Sequence, residues 1–125
     1  IEVLKLGYVS NEAEMIYYYN ALDVFILPSE EENLPLVIQE AMSCGTPVVA
    51  FKVGGVGDMI EHNVSGYLAK PNDFVDLKQG LELLCASAEK RTFFAENARR
   101  IIEQKFNYDV IAKEIIKVYS EKLKK

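Results

Sequence analysis

The sequence predicts an α/β fold with a parallel sheet and right-handed crossovers. Two short, nearly continuous apolar runs, Val24-Phe25-Ile26-Leu27 and Pro47-Val48-Val49-Ala50-Phe51, have the composition of strands buried on both faces. Segments of helical spacing lie between and after them, and the connections are short. Strand, helix, strand, helix in this order is the pattern of a parallel sheet with its crossover helices packed against it.

Each element has its own signal. Ile1 to Leu6 alternates apolar and polar residues and stops at Gly7, which reads as a strand. Asn11 is placed to N-cap a helix running to about Tyr19, with Glu12 and Glu14 in the first turn where negative charge suits the helix dipole. Asp23 to Leu27 is a buried strand ended by Pro28. After a polar loop, Leu34 to Cys44 has helical spacing and Gly45 terminates it. Pro47 to Phe51 is the next strand, Gly54-Gly55-Val56-Gly57 a flexible loop, Asp58 to Glu61 about one helical turn, and Gly66 to Ala69 a short last strand before Pro71. From Phe74 the pattern is helical to near the end, with breaks at Ser87 to Glu89 and at Asn107. The tyrosines Tyr17, Tyr18 and Tyr19 are adjacent on a helix, so they cannot all face the core.

Composition narrows the function. A chain of 125 residues, 50% hydrophobic, buries one core. No apolar run approaches the roughly 20 residues that span a bilayer. The net charge of −5 argues against a nucleic acid or an acidic membrane as principal partner. Basic residues gather toward the end, from Lys90 to Lys125, but glutamates are interleaved with them, as on a solvated helix face. Cys44 and Cys85 sit in apolar helical stretches without Cys-x-x-Cys spacing, and His62 has no partner at a metal-ligand spacing. These features predict reduced, buried, structural thiols in a cytoplasmic protein, a surface role for His62, and neither a bound metal nor a cofactor. Ile1 falls inside a strand-like run with no Met or basic leader before it, so the chain reads as a segment of something longer.

In parallel sheets ligands bind beyond the carboxyl ends of the strands, which directs attention to two loops. Pro28-Ser29-Glu30-Glu31-Glu32-Asn33-Leu34-Pro35 carries three successive carboxylates into a helix start. Taken alone it is equally a charged surface loop and a site. Gly54-Gly55 is equally a plain turn and a place where backbone approaches a ligand.

The run from Pro28 to Ala50, PSEEENLPLVIQEAMSCGTPVVA, resembles the signature of family 4 retaining glycosyltransferases, roughly Pro-Ser-x-x-Glu-Gly-Phe-Gly-Leu followed by Glu-Ala-Met-Ala-x-Gly-x-Pro-Val-Val-Ala. That family carries two glutamates separated by seven residues, and Glu32 and Glu40 have this spacing here. The resemblance continues through Leu6-Gly7-Tyr8-Val9-Ser10 and Ala21 to Ser29 upstream. Downstream it runs through Gly54 to Ile60, Asn63 to Leu68 and Asp73 to Leu77, covering nearly the whole chain.

The resemblance implies a partial Rossmann-like, doubly wound domain over residues 1–125, the C-terminal part of a GT-B enzyme that transfers a sugar from a UDP-, GDP- or ADP-sugar with retention at the anomeric carbon. It assigns the donor ribose to Glu40, whose two carboxylate oxygens can accept from a vicinal pair of hydroxyls. The plainer alternative is a helix carboxylate facing solvent or capping an amide. Glu32 matches the glutamate near the reacting sugar and is the catalytic candidate. Asn33, Leu34 and Pro35 stand where the family has Gly-Phe-Gly, so the amides of Asn33, Leu34 and, less directly, Leu36 are the candidates for the donor phosphates. Pro35 has no N–H to offer, although proline suits the first helical position. Glu30 and Glu31 match nothing in the motif, and Asp58 stands in place of the usual Glu.

The resemblance also implies missing parts: an N-terminal acceptor domain, an Arg and a Lys that meet the diphosphate, and the first two strands of the order 3-2-1-4-5-6. The 125 residues alone are therefore expected to be inactive. In that order Ile1–Leu6 is the third strand and Asp23–Leu27 the fourth, and the fourth is left with an open edge. Cover would come from Ile1–Leu6 moving in, from a second copy of the chain, or from the absent strands. With Ile111, Ile115, Val118 and Tyr119 on the last helix also unpartnered, self-association is expected. Two rival readings are a GT-B-fold nucleotide-sugar epimerase, whose Ser-Gly-Gly phosphate motif Ser29-Glu30-Glu31 does not reproduce, and a non-catalytic α/β nucleotide-binding or receiver-like module. For a receiver, Asp23 lies at the wrong end of its strand.

Overall fold

The computed structural model describes residues 2–124. Helix α1 (Glu12–Ala21) leads into strand β1 (Phe25–Leu27), followed by α2 (Leu36–Ser43), β2 (Val48–Phe51), the short α3 (Val56–Met59) and β3 (Gly66–Ala69). Helices α4 (Phe74–Cys85) and α5 (Ala88–Ile101) follow, then a π-helical turn at Ile102–Phe106 and α6 (Tyr108–Leu123). The sheet is parallel in the order β1-β2-β3, with Phe25 opposite Val48 and Val48 opposite Gly66. Helices flank it on both faces, a Rossmann-like arrangement.

Strand β2 is central and completely buried, and its side chains alternate between two cores as the pleat requires. Val48 and Ala50 pack with Ile38, Ala41 and Met42 of α2, with Val56 and Met59 of α3, and with Ala98 and Ile101 of α5. Val49 and Phe51 face the other way, onto Leu77 and Leu84 of α4 and Phe94 of α5. This two-sided burial is why the run Val48-Val49-Ala50-Phe51 is apolar without alternation.

Helix boundaries follow the capping chemistry. Asn11 accepts from the Glu14 amide at 3.2 Å, Asp73 from the Val75 and Asp76 amides at 3.1 and 3.0 Å, Ser87 from Lys90 at 3.2 Å, and Asn107 from Val110 at 2.9 Å. Gly45, at φ +73°, ends α2 in the left-handed conformation, with its amide on the Met42 carbonyl at 3.0 Å.

One predicted strand is absent. Ile1 lies outside the described residues, and Glu2 to Ser10 has no regular structure; Glu2 through Tyr8 are exposed. Alternation supplies a face but not a partner. This segment does not take the edge beside β1, and Gly7 within it is left-handed, at φ +69°. Phe25–Leu27 therefore has β2 on one side and no strand of the described residues on the other. Helix α6 has no buried residue; Ile111, Ile115, Val118 and Tyr119 are 40 to 66% exposed. The cysteines are not buried as expected: Cys44 is half-buried and Cys85, the last residue of α4, is exposed. Among the described residues no helix is long and apolar enough to cross a membrane.

Candidate functional site: the loops beyond β1 and β2

Strands β1 and β2 are parallel neighbours, so their following loops emerge at the same end of the sheet. The loops touch through backbone. The Gly55 amide donates to the Asn33 carbonyl at 2.6 Å. Gly54 is left-handed, at φ +48°, and a Cβ there would overlap the Glu32 carbonyl oxygen; a Cβ on Gly55 would meet the Asn33 carbonyl. The glycine pair is therefore more than a turn: only residues without side chains let the two loops close on each other. That contact holds Glu32, Asn33 and Leu34 against the second loop.

Helix α2 begins where this junction ends, and it begins uncapped. Its N-cap is Pro35, at φ −69° and ψ 118°, with no side-chain hydrogen bond. The proline stands one residue earlier than the first helical position expected for it, so Leu36 opens the helix. Ile38 donates to the Pro35 carbonyl at 3.2 Å, whereas the amides of Asn33, Leu34, Leu36 and Val37 find no acceptor among the described residues. The longer helices α1, α4, α5 and α6 all start on a capping side chain. Several free amides at the start of α2 constitute positive potential without a resident acceptor, the arrangement that receives an anion. Glu30 and Glu31 are exposed, whereas Glu32 is half-buried.

Glu40 lies on the second turn of α2 and is held from a different direction. Its Oε2 accepts from the Tyr19 hydroxyl at 2.9 Å. Tyr19 is 4% exposed, its ring meets Phe25 edge-on at 5.6 Å, and its carbonyl accepts from the Thr46 hydroxyl at 2.7 Å. Burial first, and the bonded carboxylate second, push the Tyr19 phenol well above its ordinary range, so it stays a donor. The arrangement thus differs from both plain alternatives for a helix carboxylate: Glu40 is exposed, yet one of its oxygens is anchored.

Residues 2–101 match the family described as Glycosyl transferases group 1. The chain belongs to this family. Similar proteins include an uncharacterized glycosyltransferase of Methanocaldococcus jannaschii, 33% identical over 94% of this chain and 30% of its own length. The N-acetyl-alpha-D-glucosaminyl L-malate synthase of Bacillus anthracis is 31% identical over 98% of this chain and 31% of that protein. Among solved structures, Anabaena HepE in complex with UDP and glucose is 32% identical, with a TM-score of 0.78 over 88% of this chain and 30% of that one. The C-terminal domain of a glycosyl transferase group 1 family protein from Francisella tularensis is 26% identical, with a TM-score of 0.74 over 82% of this chain and 53% of that one. The chain spans less than a third of each of these two curated relatives.

Within this group 1 glycosyltransferase domain, the structure brings the backbone of Glu32 to Leu34 together with Gly54-Gly55 and the first turn of α2. Glu40 is anchored by a separate contact, the Tyr19 hydroxyl of α1. Sequence reasoning did not single out Tyr19; the only signal was the triple tyrosine, and which of the three turns inward is decided by tertiary packing. His62 is exposed, as expected of a turn residue, but it also latches its loop: Nδ1 accepts from the Leu68 amide at 3.0 Å and the ring meets Tyr67 at 4.7 Å. Asp58 is exposed on α3.

Proposed function

We propose that the chain is the donor-binding part of a family 4, retaining glycosyltransferase that uses a nucleoside diphosphate sugar. The observation that carries this reading is the uncapped start of α2, with free amides lying between two glutamates separated by seven residues. Membership of the group 1 family and likeness to a structure holding UDP and glucose support it.

In this reading the ribose hydroxyls donate to Glu40, the diphosphate lies against the amides of Asn33, Leu34 and Leu36, and Glu32 faces the donor sugar near the reacting carbon. The bond from the anomeric carbon to the diphosphate oxygen breaks as the acceptor oxygen bonds to that carbon from the same face. The acceptor's proton is released, and the nucleoside diphosphate leaves with the bonding electron pair. Negative charge then grows on the diphosphate, and amides already aimed at it stabilise the transition state more than the ground state.

The acceptor site and the cationic side chains for the diphosphate belong, in this proposal, to the longer cytoplasmic enzyme. Incubating the 125-residue chain with UDP-, GDP- and ADP-sugars should release no nucleoside diphosphate above the uncatalysed rate. Appreciable turnover overturns the division of labour proposed here.

A further inference from the structure

We infer that Tyr19 is a positioning residue: its hydroxyl fixes the Glu40 carboxylate so that the remaining acceptor sites meet a ribose diol and discriminate against a deoxyribose. This rests on the proposed role of Glu40 as the ribose carboxylate.

A glutamate on an exposed helix face has several freely rotating torsions, and a diol recognised by both oxygens demands one orientation. Glu40 is exposed, so packing alone does not hold it. Tyr19 does, because Tyr19 is itself held on several sides: buried, packed edge-on against Phe25, and tied through its carbonyl to Thr46 and to the Leu22 amide at 3.2 Å. The bond from its hydroxyl to Oε2, at 2.9 Å, links two helices through residues 21 apart in sequence. An ionised carboxylate has about four acceptor sites. Tyr19 occupies one, and among the described residues no other hydrogen bond reaches this carboxylate. Oε1 and the second lone pair of Oε2 are left for two vicinal hydroxyls. Tyr18, the neighbour on α1, bonds instead to Glu14 on the exposed side at 2.9 Å, so one tyrosine of the three serves this carboxylate.

The test is calorimetric titration of the chain and two variants with UDP and with 2′-deoxy-UDP, repeated with GDP, ADP and their deoxy forms. The unmodified chain should prefer the ribonucleotide about tenfold or more, since hydrogen bonds to a charged group are being counted. Tyr19→Phe keeps the ring and removes only the hydroxyl; the preference should fall to within about threefold of parity, through weaker binding of the ribonucleotide. Glu40→Ala should abolish it. If Glu40→Ala abolishes the preference and Tyr19→Phe retains it, or weakens ribo and deoxy forms equally, the positioning role is overturned while the ribose assignment stands. If Glu40→Ala leaves the preference intact, or if no nucleotide binds, both are overturned. One measurement needs no variant: the Tyr19 hydroxyl proton should remain slowly exchanging by NMR when the chain is saturated with UDP, and loss of that protection also overturns the inference.

Discussion

The amide of Gly55 reaches the carbonyl of Asn33 at 2.6 Å, and this backbone bond joins the loop after β2 to the loop after β1. The approach depends on Gly54, which has both a positive φ and no space for a Cβ beside the Glu32 carbonyl. Gly54→Ala should destabilise the chain by at least about 1–3 kcal/mol, the cost of a strained non-glycine backbone, with loop separation added. Urea unfolding measures this, and a variant as stable as the parent contradicts the close-approach account.

Gly80 offers a sign test. In an open helix, Gly→Ala stabilises by about 1 kcal/mol. Here a Cβ would overlap the Tyr67 ring near its attachment point, and Tyr67 is tied by its hydroxyl to Asp76 at 2.6 Å, so the ring cannot easily swing aside. Gly80→Ala should therefore destabilise by about 1–3 kcal/mol, the usual range for overpacking. In a Tyr67→Ala background the same change should stabilise. Denaturation of the four proteins decides it, and a stabilising Gly80→Ala in the parent background contradicts the contact.

The Tyr67 and Asp76 pair predicts a pH dependence at both ends. The Tyr67 hydroxyl, then the Lys70 amide at 2.8 Å, hold the Asp76 carboxyl below the ordinary value of 3.8. A depressed folded pKa contributes stability that is present above 3.8 and lost as pH falls through the folded value. The bonded carboxylate raises the Tyr67 phenol from 10.0 to about 12, so its share is complete below 10.0 and lost as pH rises through about 12. The pair is near the surface and screened, so the effect is small and its sign is the readout. The stability gap between the parent and Asp76→Asn should narrow at both extremes, as measured by urea midpoints from pH 2 to 12. A gap constant with pH contradicts this.

The edge of β1 and the apolar face of α6 predict the behaviour of the isolated chain. Half-buried Phe25, Ile26 and Leu27 border an open hydrogen-bonding edge, and Ile111, Ile115, Val118 and Tyr119 lie on an exposed helix. The chain should self-associate, with sedimentation showing a weight-average mass that rises with concentration. A monomer at all concentrations contradicts it.

What was legible in the sequence was what local chemistry decides. Gly66–Ala69 and the cap Asn11 are signalled by turn residues and N-cap preferences, and they stand where expected; the breaks expected near Ser87 and at Asn107 are there too, each as the N-cap of the next helix. Glu2 to Leu6 has the alternation of a strand but pairs with no strand of the described residues, and pairing is a property of the neighbour, not of the segment. The π-helical turn at Ile102–Phe106 shares the apolar periodicity of the helices it joins, so the pattern cannot reveal it. At the candidate site, the glutamate spacing was readable within one stretch of chain. The bond from Tyr19 to Glu40 and the closure of Gly54-Gly55 on Glu32-Asn33 were not, because both join residues about twenty positions apart and are made only by folding.

The most direct test of the donor-binding account is calorimetric titration of the chain and its Glu40→Gln variant with UDP, GDP and ADP. The substitution keeps the shape of the side chain and removes its charge. The account predicts that one of the nucleotides binds the parent chain and that the variant binds it more weakly by about 1.5–3 kcal/mol, the weight of hydrogen bonds to a charged acceptor. A variant indistinguishable from the parent contradicts it.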